Sequence, residues 1–167
     1  MDTGESVSME TIEEAANYDL SHKFLTFRVA GQYFGIAIQT VIEILQLQEI
    51  TPMPELPYYS KGIINMRGRV VPIIDLSLRF NKPEQEYSDR TCIIIVDING
   101  TYVGFLVEAV EEVRDIDREM ISPPPAYVND GSSTYVIGIG KLERYMVLLL
   151  DGKLILSDGD MSALAGF

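Results

Sequence analysis

The chain has 167 residues, a formal net charge of −12 and a pI near 4.4, so a phosphate backbone or an anionic leaflet is repelled over most of its surface and nucleic acid and lipid are poor partners. A single cysteine, Cys92, and a single histidine, His22, exclude a disulfide and leave no cluster for zinc. No apolar run approaches the ~20 residues of a bilayer span and the N-terminus lacks a signal-peptide pattern, which points to a reducing cytosolic setting without direct membrane insertion.

Residues 1–19 are acidic and weakly patterned, with Thr11 to Ala16 at most a marginal helix, and are expected to be a mobile tail. The folded domain is expected over 20–157. Leu25, Phe27 and Val29 alternate with Thr26 and Arg28, the period-two signature of a half-buried strand, and the Gly31-Gln32 corner leads into a second strand at Tyr33 to Ile38. A short turn of helix is expected near Gln39 to Ile42. Further on, Gly62 to Met66 and Val70 to Ile74 are two apolar strands joined at Arg67-Gly68, where glycine supplies a backbone conformation closed to other residues. Pro72, lacking an N–H, suits an edge strand or a bulge. Asp75 precedes Leu76-Ser-Leu78 and is placed to accept the free N–H groups of a first helical turn.

The second half repeats the first. Gly31-Gln-Tyr-Phe-Gly35 recurs as Gly100-Thr-Tyr-Val-Gly104, and Val41-Ile-Glu-Ile44 as Val110-Glu-Glu-Val113, both 69 positions on. Gly62 to Asp75 recurs as Gly138 to Asp151, 76 positions on. The seven extra residues fall in a stretch holding Ser122-Pro-Pro-Pro125 and Asn129-Asp-Gly-Ser-Ser133, the composition of an exposed connection. Asn99-Gly100 marks a hairpin, the runs Cys92 to Val96 and Met146 to Leu150 are apolar throughout, as in strands covered on both faces, and a last helical turn is expected after Asp151. Two copies, about 23–80 and 91–156, of a unit with about five short strands predict two compact barrels sharing a core, with 158–167 a C-terminal tail.

The segment Gly62-Ile-Ile-Asn-Met-Arg-Gly-Arg-Val-Val-Pro-Ile-Ile-Asp-Leu76 closely resembles the signature of CheW-like domains. The resemblance covers Lys23 to Leu156, including the opening strand pair, Val41 to Ile44, and the final Gly-Ile-Gly with its apolar strand. It implies a mainly β fold of two interlocked five-stranded SH3-like β-barrels with a few short helices. The family includes free adaptors, the regulatory domain of the histidine kinase CheA, and proteins that append a response regulator; with the chain ending about ten residues after the last barrel element, a stand-alone adaptor is expected. Its implied role is to couple the cytoplasmic tip of a chemoreceptor to CheA at membrane-bound receptor arrays, without cofactors. The alternative is the same scaffold in a kinase pathway outside chemotaxis. By motif position, the resemblance implicates Arg67 and Glu43 in receptor coupling, and points to Val41, Gly62 and Lys61.

Physical chemistry gives two readings of these residues. A guanidinium held at a rigid hairpin tip suits paired hydrogen bonds to a carboxylate on an acidic helix; equally, Arg67 fits a solvated turn paired with a neighbouring acid. Glu43 also fits an unremarkable exposed position, and Val41 a core position. Nothing assembles into a catalytic constellation. His22 borders the tail and is expected to be exposed, Cys92 sits in an apolar run where a buried thiol is inert, and Gly138-Ile-Gly140 lacks the helix-opening glycine of a nucleotide site. The acids at Glu108 to Glu112 and at Asp115 and Asp117 read as a solvated face.

Overall fold

The structure, a computed structural model, describes residues 20–125, 135–156 and 158–164. The Gly31 corner and the Asn99-Gly100 corner, both at positive φ, fold β1 (Lys23–Val29) onto β2 (Gln32–Ala37) and β6 (Cys92–Ile98) onto β7 (Thr101–Val107). The 69-residue spacing holds to the residue at the start of both strands. A 3-10 turn at Ile38–Thr40 precedes β3 (Val41–Gln46), so the expected helical turn is shorter and Val41 is already extended. The equivalent third strand of the second half is β8 (Ala109–Asp115).

The third strands do not stay with their own hairpins. β3 crosses to pair with β6, with Ile44 opposite Ile94, and β8 crosses to pair with β1, with Val113 opposite Leu25. β4 (Ser60–Met66) and β5 (Arg69–Asp75) complete a five-stranded sheet ordered β3-β6-β7-β5-β4. The two-residue β9 (Ile121–Ser122), β10 (Val136–Lys141) and β11 (Met146–Leu150) complete a six-stranded sheet ordered β8-β1-β2-β11-β10-β9. Each sheet therefore combines the opening hairpin of one repeat with the closing strands of the other. The six-stranded sheet forms the first barrel and the five-stranded sheet the second.

Symmetry extends to irregular features. Each closing strand meets the opposite hairpin in parallel at a glycine, Leu149 beside Gly35 and Ile73 beside Gly104, where a Cβ would press on neighbouring side chains. Bulges fall at Lys61 and at its counterpart Ile137. The Asp75 N–H donates to the Tyr59 carbonyl at 2.8 Å, and the Asp151 N–H to that of Tyr135 at 2.9 Å. Asp75 and Asp151 then cap short helices, α1 (Leu76–Arg79) and α2 (Gly152–Ile155), as their positions predict.

Some expectations differ from what is found. Pro72 is buried in β5, an interior strand, not at an edge; its missing N–H is harmless because β7 pairs only with Ile73 to Asp75. β1 is buried on both faces, since Phe24 enters one core while Leu25, Phe27 and Val29 enter another. The cores explain this. One large cluster, including Phe27, Phe34, Ile74, Ile94 and Phe105, draws on both sheets, and each barrel keeps a smaller one of its own, around Ile73 and Ile95 or around Ile116 and Val147. Residues 158–164, within the segment expected as a C-terminal tail, form a helix, α3. The expectations for residues 1–19 and for Asn129 to Ser133 lie outside the described residues.

Candidate functional site

The second barrel has β3 and β4 as its sheet edges, and the tip of the β4–β5 hairpin reaches across that seam. The turn has two residues, Arg67 at φ 52° and Gly68 at φ 89°, the mirror-image turn whose twist matches flanking strands. The Asn65 Oδ1 accepts the Gly68 N–H at 2.7 Å and secures it. From this tip Arg67 makes a forked pair with Glu43 on β3: Nη1 donates to Oε2 at 3.0 Å, and Nη2 to Oε1. The guanidinium hydrogen bond holds the Glu43 carboxyl below its ordinary value, and the carboxylate raises Arg67 further. The Arg67 side chain is 69% exposed and that of Glu43 30%. The pair is thus formed within the molecule and open to solvent, with N–H groups of the guanidinium left to meet a further acceptor.

The remaining candidates lie elsewhere. Val41 begins β3 opposite Val96 and packs half-buried against the shared core. Its neighbours Ile42 and Ile44 point outward, 42% and 44% exposed. They neighbour Glu43 in the chain but do not share its face, since Glu43 lies opposite Ile95 and Ile44 opposite Ile94, which enter different cores; sequence reasoning passed over them. The signal was the Ile42-Glu-Ile44 run, whose members cannot all face one core from a single strand.

Gly62 and Lys61 sit at the far end of β4 from Arg67. Gly62 (φ 129°) lies under the chain that follows β3, where Thr51 and Ile63 exchange backbone hydrogen bonds at 2.8 and 2.9 Å. A Cβ there would enter the Thr51 carbonyl, 2.7 Å from its carbon and 2.9 Å from the Pro52 Cα. The position therefore requires glycine for close backbone approach. Lys61, on the bulge, pairs with Glu84, and that hydrogen bond raises its pKa. Both charges border an open groove of about 790 Å³ lined by Leu47, Ile50, Pro52 and Tyr58 among others.

The pair is not duplicated. Glu112, the counterpart of Glu43, accepts from Arg114 of its own strand at 3.2 Å, and the position equivalent to Arg67 is Glu143. The two barrels are alike in backbone and unlike at this seam. Among the described residues no three His, Cys, Asp or Glu side chains converge to hold a metal ion, and burial pushes the Cys92 thiol up, away from the reactive thiolate. His22 is half-buried, not exposed as its place beside the tail suggested. No helix of the described residues is long and apolar enough to cross a membrane.

Residues 23–160 match the model of the CheW-like domain. The chain is 30% identical over 154 residues to the chemotaxis protein CheW of Klebsiella aerogenes, covering 92% of this chain and 93% of the relative. It is also 31% identical over 126 residues to protein FrzA of Myxococcus xanthus, covering 75% and 78%. Among solved structures, the scaffolding protein TtCheW of Thermoanaerobacter tengcongensis superposes with a TM-score of 0.76 at 35% identity, covering 84% of this chain and 95% of that one.

Proposed function

Because the chain belongs to the CheW-like domain family, we propose that it is a chemotaxis scaffold that couples the cytoplasmic tip of chemoreceptors to the regulatory domain of the histidine kinase CheA, at membrane-bound receptor arrays and without catalysis of its own. The observation that carries this reading is the exposed Arg67–Glu43 pair, set at a rigid hairpin tip, on an edge strand that also exposes Ile42 and Ile44. An edge strand that offers both a charged fork and exposed apolar side chains suits a helix laid against it: the apolar side chains supply burial, and the charge fixes register. Val41 supports that surface from beneath. Gly62 and Lys61 shape the root of the same hairpin.

Contacts of this size are individually modest, and repetition across an array would raise the effective concentration of each partner. The receptor's state can reach the kinase only through contacts whose strength differs between states. The test is a pull-down with a receptor cytoplasmic fragment and the kinase regulatory domain, each alone and both together. Retention of both, with loss of the receptor fragment in Arg67→Ala, is expected; failure of the parent chain to retain either rejects the reading. A second reading, the same scaffold in a kinase pathway outside chemotaxis, draws on the relative that bears a different name, FrzA. Receptor fragments from the two kinds of pathway, compared in the same pull-down, separate the readings.

A further inference from the structure

The pseudo-twofold relating the repeats brings two equivalent residues against each other. Arg79 and Ile155 each end the short helix that follows their repeat's last strand, and the Arg79 Nε–H donates to the Ile155 carbonyl. The Arg79 guanidinium lies 5.7 Å from the Tyr59 ring centre and 5.0 Å from that of Tyr135, a second pair of equivalent residues. Both distances are within reach of the attraction between a cation and a ring face. From Tyr135 the contact continues to Phe80 at 5.0 Å and to Phe34 at 4.9 Å. One cation therefore touches the strand that enters the second barrel at Tyr59 and the strand that enters the first at Tyr135.

Into this cluster comes a residue from outside both repeats. The Tyr59 hydroxyl donates to Asp160 Oδ2 on α3 (Asp158–Leu164), and the adjacent Met161 packs against the shared core. Tyr59 is 5% exposed, and burial, with the Asp160 carboxylate beside it, raises its phenol above the ordinary range, so it stays a donor. The first repeat has no helix at the position of α3.

We propose that α3 is a clasp on the seam between the two barrels: Asp160 and Met161 hold the Tyr59–Arg79–Tyr135 cluster closed and so fix the angle at which the barrels meet. A seven-residue helix attached by few contacts opens at lower free energy than the sheets it closes, which makes the barrel angle adjustable without unfolding. The consequence for coupling, that release of α3 lets the first barrel move relative to the receptor-binding seam of the second, rests on the function proposed above.

The test uses full-length Asp160→Ala, which removes the acceptor, and, as a variant that leaves the hydrogen bond intact, full-length Met161→Ala. Hydrogen exchange is followed at the Asp75 and Asp151 amides, which bond to the carbonyls of Tyr59 and Tyr135, with Ile95 in the middle of the second barrel as reference. Both variants are expected to speed exchange at the two amides by about tenfold or more and to leave Ile95 unchanged, the first through loss of a hydrogen bond to a charged group and the second through loss of apolar packing at a local opening. Spin labels at the exposed Gln46 and Lys141, in a Cys92→Ser background, should report a broader distance distribution. Unchanged exchange, or equal acceleration at Ile95, overturns the clasp. If exchange and distance change as expected while affinity for a receptor fragment stays constant, the clasp stands and the coupling reading fails.

Discussion

At the Arg67 tip the guanidinium already holds the Glu43 carboxylate, so an incoming acid must share or displace that partner. An exposed ion pair adds little to stability. Arg67→Ala is therefore expected to leave the thermal melt within about 2 °C of the parent while receptor binding falls; unchanged binding by the folded variant removes Arg67 from the site. The pair has a definite pH signature. Because Arg67 depresses the folded-state Glu43 below its ordinary 4.5, the contact is complete above that value and is lost as pH falls through the lowered one. In Arg67→Ala the Glu43 titration, followed by NMR of its carboxyl carbon, should move back up toward 4.5. Gly62 calls for the opposite outcome. Its backbone conformation and the Thr51 carbonyl above it leave no room for a Cβ, so Gly62→Ala should cost at least about 3 kcal/mol, read as a lowered urea midpoint. An alanine variant as stable as the parent would show that the Thr51–Pro52 segment moves freely.

At the scale of elements, the capping aspartates allow the repeats to be compared. Asp75 is buried and accepts from the Ser77 N–H at 2.9 Å, the Ser77 hydroxyl at 2.6 Å and, more weakly, the Leu78 N–H at 3.4 Å. Asp151 is more exposed and, among the described residues, accepts from the Lys153 N–H alone, at 3.0 Å. Asp75→Ala should therefore cost about 2 kcal/mol and Asp151→Ala about 1 kcal/mol or less. Equal losses in chemical denaturation would mean that the extra bonds to Asp75 contribute nothing. These caps are legible in the sequence because an aspartate ahead of a short apolar turn is a local signal. The hairpin corners were legible for the same reason, since Gly31, Gly68 and Gly100 mark positive-φ positions. The placement of Pro72 was not, because whether a strand is interior depends on where its second neighbour stops pairing, which local residues do not encode. The outward Ile42 and Ile44 were missed because an apolar residue in a strand reads as core until the inward face is known.

For the molecule as a whole, the exchange of third strands makes each barrel the product of both repeats. A fragment of residues 1–90 lacks β6 and β7 of its own sheet, and one of 91–167 lacks β1 and β2. Neither should fold alone, and mixing the two should restore the β-sheet circular dichroism of the full chain. Independent folding of either fragment contradicts the exchanged topology. The full chain should melt in one transition, because the largest core cluster draws on both sheets. Two separated transitions would indicate barrels that are energetically independent.

By itself the sequence determined the duplication, the β character, the turns, the caps and the family resemblance, all of which depend on residues close together in the chain or on its comparison with itself. It also singled out Arg67 and Glu43, though not that they meet. That meeting, the crossing of β3 and β8 to the opposite hairpins, and the arrival of Asp160 at Tyr59 were decided by tertiary structure. Strand pairing is chosen by which long-range partner buries the most apolar surface, and two halves this similar offer each third strand two nearly equivalent hairpins. Only the assembled core distinguishes them.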